Sequence, residues 1–262
     1  MSPRINLSKL QEGLRTKRFG RSIFFASEVG STNEWAKELA RFGAEEGTVA
    51  IAETQIAGRG RLNRVWVSPA GGLWFSVVLR PKLHVAEAAK VVFAVGLAVA
   101  EVLHEKYGLP VETKWPNDVL VSGRKICGIL AEMSSRGKIV NFVAVGVGVN
   151  VNLDVAKVLP ESVREVSTSM QNALGRKIAL EELFNALLER LETLYLSFVE
   201  SGFASVLERW KLYANFLGHK VQVKSEDEVL NGLAMDVDCE GALVLRLEDG
   251  ATRRVVFGDV SP

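Results

Sequence analysis

Gly58-Arg59-Gly60-Arg61, followed by Arg64 and Trp66, puts three guanidinium groups into a stretch whose glycines let backbone amides approach a ligand closely. Guanidinium forks bind phosphate oxygens in pairs, so this loop suits a polyanion. It matches neither the G-x-x-x-x-G-K-[ST] loop nor G-x-G-x-x-G, which removes the main support for a Walker-type or dinucleotide site. Composition alone equally allows a solvated basic loop anchored by Trp66. Ser31-Thr32-Asn33-Glu34 offers two hydroxyls and an amide for a polar, uncharged ring, and the Ser31/Glu34 spacing also fits a helix capping box. Lys114-Trp115-Pro116-Asn117-Asp118 ends a strand and turns at the proline, which presents Asn117 and Asp118 at a strand end. An Asx-type turn is the plain alternative for Asp118. Lys125 opens a further strand, and Gly146, Gly148 and Asn150 interrupt a β-rich run where a flat group could lie against the backbone.

The elements that must position these groups follow from periodicity. Apolar residues recur at three and four over 180–198, a long amphipathic helix. A second helix, apolar all round, is expected over 86–106, and a third over 203–213. A shorter one begins at Ser31 with Trp35, Leu39 and Phe42 on one face. Strand-like runs cover 48–52, 73–79, 112–115, 125–132 and 139–151. After Gly218 short β runs (220–224, 229–237, 242–247, 252–260) are separated by Asn231-Gly232, Glu240-Gly241 and Asp249-Gly250, the punctuation of hairpins. The pattern predicts an α/β or α+β chain with a substantial sheet over residues 1–215 and a small β domain over 216–262; the fold taken forward is α+β.

Composition narrows the function classes. The 262 residues are 48% apolar and carry a formal charge of +1, so no bulk field draws the chain to nucleic acid or an anionic membrane. Any anion specificity is local. The longest apolar run, 91–100, is far below the ~20 residues that span a bilayer, and 1–20 lacks the apolar core of a secretory signal. The expected location is the cytoplasm, with no membrane partner. Cys127 and Cys239 have no CxxC spacing, and His84, His104 and His219 are scattered, which argues against structural zinc or a disulfide framework. Six basic residues against Glu12 over 4–21 invite a nucleic-acid reading. A solvated basic helix accounts for them, and no DNA partner is expected.

Five motifs in order, Ser31-Thr32-Asn33, Gln55-x-x-Gly58-Arg59-Gly60-Arg61 with Trp66, Lys114-Trp115-Pro116-Asn117-Asp118, Gly123-Arg124-Lys125 with Gly128-Ile129-Leu130, and Gly146-x-Gly148-x-Asn150, closely resemble the biotin protein ligases. The resemblance runs over about 23–151, and the C-terminal meander looks like the family's small end domain. It implies a mixed-sheet, class II synthetase-like catalytic domain of the biotin/lipoate ligase type with a C-terminal SH3-like β-barrel. It also implies two steps on one site: biotin and Mg-ATP give biotinyl-5′-AMP and pyrophosphate, then a lysine of a biotin carboxyl carrier protein displaces AMP.

By the same resemblance, Arg61, Lys125 and Asp118 carry the chemistry. Ser31, Thr32, Asn33, Gln55, Arg59, Gly60, Arg61, Trp66, Lys125 and Gly128 bind biotin, and Arg59, Arg61, Trp66, Asn117, Lys125 and Asn150 bind ATP. The loop over 58–66 serves as a lid, since water would destroy the mixed anhydride. Mg²⁺ accompanies ATP, and its ligands cannot be picked out. Lipoate ligases are similar in fold, but a site built from Ser31, Thr32, Asn33 and Gln55 would leave polar groups unpaired around a dithiolane. A biotin-binding regulatory module without activity would lack Lys125 or the arginine loop. Some relatives join a DNA-reading winged helix to the ligase, and the 30 residues before Ser31 are too few for one, so the resemblance is to the monofunctional type. Relatives are often dimers, and a homodimer through sheet edges is expected. Where some relatives continue past the Gly258-Asp259-Val260 position to an arginine that touches the nucleotide, Arg253 or Arg254 is the candidate substitute.

Overall fold

The computed structural model describes residues 5–225 and 228–261. Helix α1 (Leu7–Glu12) leads into strand β1 (Ile23–Val29), helix α2 (Thr32–Arg41) and strands β2 (Val49–Gln55) and β3 (Leu73–Leu79). Helices α3 (Val85–Ala89) and α4 (Val91–Tyr107) precede four strands, β4 (Val111–Lys114), β5 (Asp118–Val121), β6 (Arg124–Arg136) and β7 (Ile139–Val149). Three short helices, α5 (Val155–Val158), α6 (Glu161–Arg164) and α7 (Met170–Leu174), are followed by α8 (Leu180–Ser201) and α9 (Ala204–Lys211). Strands β8 (Lys220–Lys224), β9 (Val229–Val237), β10 (Leu243–Leu247), β11 (Thr252–Val255) and β12 (Asp259–Ser261) complete the order.

The seven-stranded sheet runs β1-β2-β3-β7-β6-β5-β4. Its β1/β2 pair is parallel and the others antiparallel, a mixed sheet of an α+β protein. Strand β3 is buried at every position because both its faces are covered. On one face Leu73, Phe75 and Val77 join the main core with α4 and α8, and the Phe75 and Phe184 rings meet edge-on at 5.4 Å. Each such buried side chain contributes about 1.5–3 kcal/mol. On the other face α2 packs Ala36 and Ala40 over Ala50, Val78, Phe142 and Ala144. Side chains alternate along a strand, so Gly146 and Gly148 lie on the same face of β7 as Ala144, and Gly128, Leu130 and Glu132 on the same face of β6. That face is the floor of the site.

The second sheet, β11-β10-β9-β8-β12, is antiparallel, and its inward residues Val221, Val223, Ala234, Leu243 and Leu245 join the same apolar cluster. Trp115 is buried and donates from Nε1 to the Gly241 carbonyl at 3.0 Å, stitching the two sheets together beside the site.

Several expectations are corrected. The helix expected over 86–106 is broken at Lys90, whose buried ammonium donates to Glu87 Oε1 at 2.8 Å and to the Cys239 carbonyl at 3.1 Å. Strands β1 and β5 were not anticipated, since β1 is a half-exposed edge without clean alternation and β5 has four residues. Phe42 lies past the end of α2 and is 91% exposed rather than sharing the face of Trp35 and Leu39. Arg4 lies outside the described residues, and over the rest of the basic N-terminal stretch the chain is not one helix: among the described basic residues only Lys9 lies in α1, and the Glu192 carboxylate accepts the amides of Lys17 and Phe19 at 2.8 and 3.1 Å, pinning an irregular segment to α8.

Candidate active site

The start of α2 is built from neutral hydrogen bonds. The Thr32 amide donates to Gln55 Oε1 at 2.8 Å, and the Thr32 hydroxyl bonds to Gln55 Oε1 at 3.1 Å and to Ser76 Oγ at 2.9 Å. Gln55 Nε2 donates in turn to Ser68 Oγ at 2.7 Å. Gln55 therefore satisfies a first-turn amide that the helix itself cannot. The expected capping box does not form: Ser31 makes no side-chain cap, and Glu34 is drawn to the cations Lys37, at 2.7 Å, and Arg59. Ser31, Thr32 and Asn33 are all buried.

The loop over 58–66 folds back on itself. The Trp66 amide donates to the Gly58 carbonyl at 2.9 Å and the Gly60 amide to the Arg64 carbonyl at 2.7 Å, while Leu62 and Asn63 take left-handed conformations at the tip. A Cβ on Gly58 would stand 2.3 Å from the Trp66 carbonyl oxygen, so only glycine allows this approach. Trp66 then lays its indole on Gly128 and Gly148, which face each other across β6 and β7; Cβ atoms there would stand 2.9 and 2.6 Å from the ring. The flat group received by these glycines is the protein's own tryptophan. Its Nε1 is buried without a hydrogen-bond partner among the described residues.

Charges gather at the other end. The turn between β4 and β5 places Asp118 and Asn117 beside β6. Lys125 Nζ lies 2.7 Å from Asp118 Oδ1 and 5.1 Å from the centre of the Trp66 ring. Arg61 donates to Asn117 Oδ1 at 3.1 Å and to the Gly258 carbonyl at 3.2 Å, faces Asp259 at 3.4 Å, and stacks on Phe257 at 4.9 Å. Arg64 reaches the same Asp259 at 2.5 Å. Burial pushes the Arg61 guanidinium below its usual pKa, while Asp259 and Asp118 pull it back up. Asn117 is fixed through Nδ2 to the Ile129 carbonyl at 2.6 Å. Asn150 is buried, with Nδ2 on the Thr168 carbonyl at 3.0 Å and its own carbonyl accepting the Met170 amide at 2.9 Å.

These two ends share one cavity of about 440 Å³. Ser31, Thr32, Asn33, Gln55, Arg59, Gly60, Arg61, Trp66, Asn117, Asp118, Lys125, Gly128 and Asn150, all singled out from the sequence, line it. Arg64 of the arginine loop lines it too, as do two features that no motif marks, Asp259 and the wall over 159–167. That wall is tied to β6 by the Lys125 amide on the Val166 carbonyl at 2.8 Å and the Thr168 amide on the Lys125 carbonyl at 2.9 Å. No signal marks it, because backbone atoms make the contact. Arg253 pairs with Glu228 and Arg254 with Asp238, and neither lines the cavity; among the described residues after 216, Asp259 does. Among the described residues no three His, Cys, Asp or Glu side chains cluster as a metal site.

Residues 26–150 match the biotin/lipoate A/B protein ligase family, and residues 216–261 match the biotin protein ligase C terminal domain. Over 98% of its length the chain is 33% identical to the bifunctional ligase/repressor BirA of Bacillus subtilis, covering 79% of that protein. The chain belongs to the biotin protein ligase family. It is 36% identical to the biotin–[acetyl-CoA-carboxylase] ligase of Paracoccus denitrificans, over 84% of this chain and 92% of that one. Among solved structures, the Aquifex aeolicus biotin protein ligase in complex with biotin and ATP superposes with a TM-score of 0.79 at 29% identity, over 92% of this chain and 98% of the other.

Proposed function

We propose that this biotin protein ligase family member condenses biotin with Mg-ATP to biotinyl-5′-AMP and transfers the biotinyl group to a lysine of a biotin carboxyl carrier protein. The observation that carries the reading is the single cavity in which a neutral polar end and a cationic end face the same glycine floor. The neutral end suits a ureido ring with two N–H donors and one carbonyl, and would strand its polar groups around lipoate. The named relatives support the substrate choice.

In the first step a biotin carboxylate oxygen attacks the α-phosphorus, a P–O bond forms, and pyrophosphate leaves with the bridging oxygen. Two anions must meet, so fixed cations aimed at the developing charge do most of the work. Lys125 is the cation at the reacting centre, and it reaches carboxylate and phosphate oxygens by leaving Asp118. Arg61 and Arg59 take phosphate oxygens, and Trp66 screens the anhydride from water. Mg²⁺ arrives as part of the ATP substrate and neutralises its phosphates. In the second step the carrier's amine attacks the biotinyl carbonyl carbon and AMP departs. That amine has an ordinary pKa of about 10.4 and must shed a proton; Asp118, relieved of Lys125, accepts and orients its N–H. The reading includes a cytoplasmic location, expected from the sequence composition, and a homodimer, as the resemblance implies.

Pyrophosphate release from Mg-ATP, measured with biotin, with lipoate and with neither, tests the proposal. Release with biotin alone is expected. Release with lipoate alone would overturn the substrate, and the absence of release with either acid would overturn the adenylation step.

A further inference from the structure

Glu132 sits just outside the cavity on the floor face of β6, yet the cavity-lining Asn33 and Arg59 converge on it together with Lys37 of α2. Its Oε2 accepts from Asn33 Nδ2 at 2.6 Å, its Oε1 accepts from Lys37 Nζ at 2.8 Å, and Arg59 Nη2 stands 4.0 Å away. Burial alone would raise its pKa, but the hydrogen bonds from Lys37 and Asn33 and the charges of Lys37 and Arg59 hold it below the usual carboxylate range. It is therefore ionised at neutral pH and can only accept hydrogen bonds. That settles the direction of the Asn33 amide, since the NH₂ group must face Glu132 and the carbonyl must face the other way. Asn33 Oδ1 is buried without a hydrogen-bond partner among the described residues. It lies 3.0 Å from the point where a Cβ on Gly146, another cavity-lining residue, would stand. A buried carbonyl left unpaired costs stability unless a ligand completes it.

We propose that Glu132 is a positioning residue for substrate choice: by taking the Asn33 amide protons it holds Asn33 Oδ1 as the acceptor for a ureido N–H of biotin. The inference rests on the proposed function. A carboxylic acid whose ring has no N–H leaves that acceptor unpaired, so Glu132 contributes to discrimination without touching the substrate.

The test is calorimetric titration of the full chain with biotin and with a thiolane pentanoic acid that lacks the ureido ring, for wild type, Glu132→Gln, Asn33→Ala and the double variant. Wild type that binds no biotin would defeat the proposed function itself, before any variant is compared. With biotin bound by wild type, Glu132→Gln is expected to weaken biotin about 10-fold or more, the range of a mispaired buried polar group. The ringless acid should bind wild type and Glu132→Gln with equal weakness, within about twofold, and the KM for ATP should stay within the same margin. In the Asn33→Ala background, Glu132→Gln should add no loss beyond about twofold, because the two act as one unit. Unchanged biotin affinity, additive losses, or parallel weakening of the ringless acid would each overturn the assignment. Should Glu132→Gln unfold, Glu132→Asp, still ionised but one methylene short of Asn33, is expected to give the same pattern.

Discussion

At one end of the cavity Thr32, Gln55, Ser68 and Ser76 form a chain of neutral hydrogen bonds seated on α2, β2 and β3. At the other, Lys125, Arg61 and Arg59 are cations already held by Asp118, Asp259 and Glu34. The difference separates recognition from reaction. Thr32, Gln55 and Ser76 sit on regular elements, Ser68 is bridged to Gln55, and the four fix each other's donors and acceptors, so that end is preformed and, on the proposed function, selects a polar ring. The charged groups sit mostly on a loop, and under the proposed function they exchange a carboxylate for a phosphate or carboxylate of the substrate, an exchange of like partners that costs little once the anion is bound. Ion pairs thus hold the cations in place, and on the proposed function the reaction proceeds by partner exchange.

Variants at the two ends should differ in kind. The largest effect is expected for Lys125→Ala, which removes the cation at the reacting centre and should lower the rate of biotin-dependent pyrophosphate release about 10³-fold; a loss confined to biotin affinity would place Lys125 with the recognition groups instead. Asp118→Ala should slow transfer to the carrier about 10²-fold in single-turnover assays started from preformed adenylate, with a smaller loss in pyrophosphate release. Equal losses would reduce Asp118 to a holder of Lys125. Gly148→Ala sharpens the boundary between the ends, since its Cβ would press on the Trp66 indole. Overpacking of this kind costs about 1–3 kcal/mol, read as a lower melting temperature together with altered tryptophan fluorescence.

The smallest effect is one of pH. Glu132 is held below its ordinary value, about 4.3, so its contribution to stability is present above that value and is lost as pH falls through the depressed folded value. The stability gap between wild type and Glu132→Gln should be constant near neutrality and close in acid, as followed by urea unfolding at stepped pH. A gap that widens in acid would contradict the ionised state of Glu132.

The sequence made the cavity's inventory legible because its residues come in short motifs with unusual content. A glycine–arginine loop, a Trp-Pro-Asn-Asp turn and a glycine-spaced strand each have a local physical reason to stand out. What stayed hidden depends on pairing across the chain. Ser31 and Glu34 have the spacing of a capping box, yet Glu34 answers to Arg59, 25 positions along, and the cap comes from Gln55. Glu132 looks like any charged strand residue until β6 brings it to Asn33, 99 positions away in sequence. Gly146 and Gly148 suggest space for a flat group, but only the fold shows that Trp66 lies against Gly148 and, across the strands, Gly128. Lys90 interrupts an apolar helix without a proline or glycine, and its buried ammonium reaches the Cys239 carbonyl in a turn of the second sheet.

The most direct test of the division between the two ends is to measure kcat and KM for biotin in pyrophosphate release for Gln55→Ala and Lys125→Ala side by side. The account predicts that Gln55→Ala raises KM for biotin about 10-fold with kcat nearly unchanged, while Lys125→Ala collapses kcat. The same pattern of kcat and KM in both variants, or a kcat loss confined to Gln55→Ala, would contradict it.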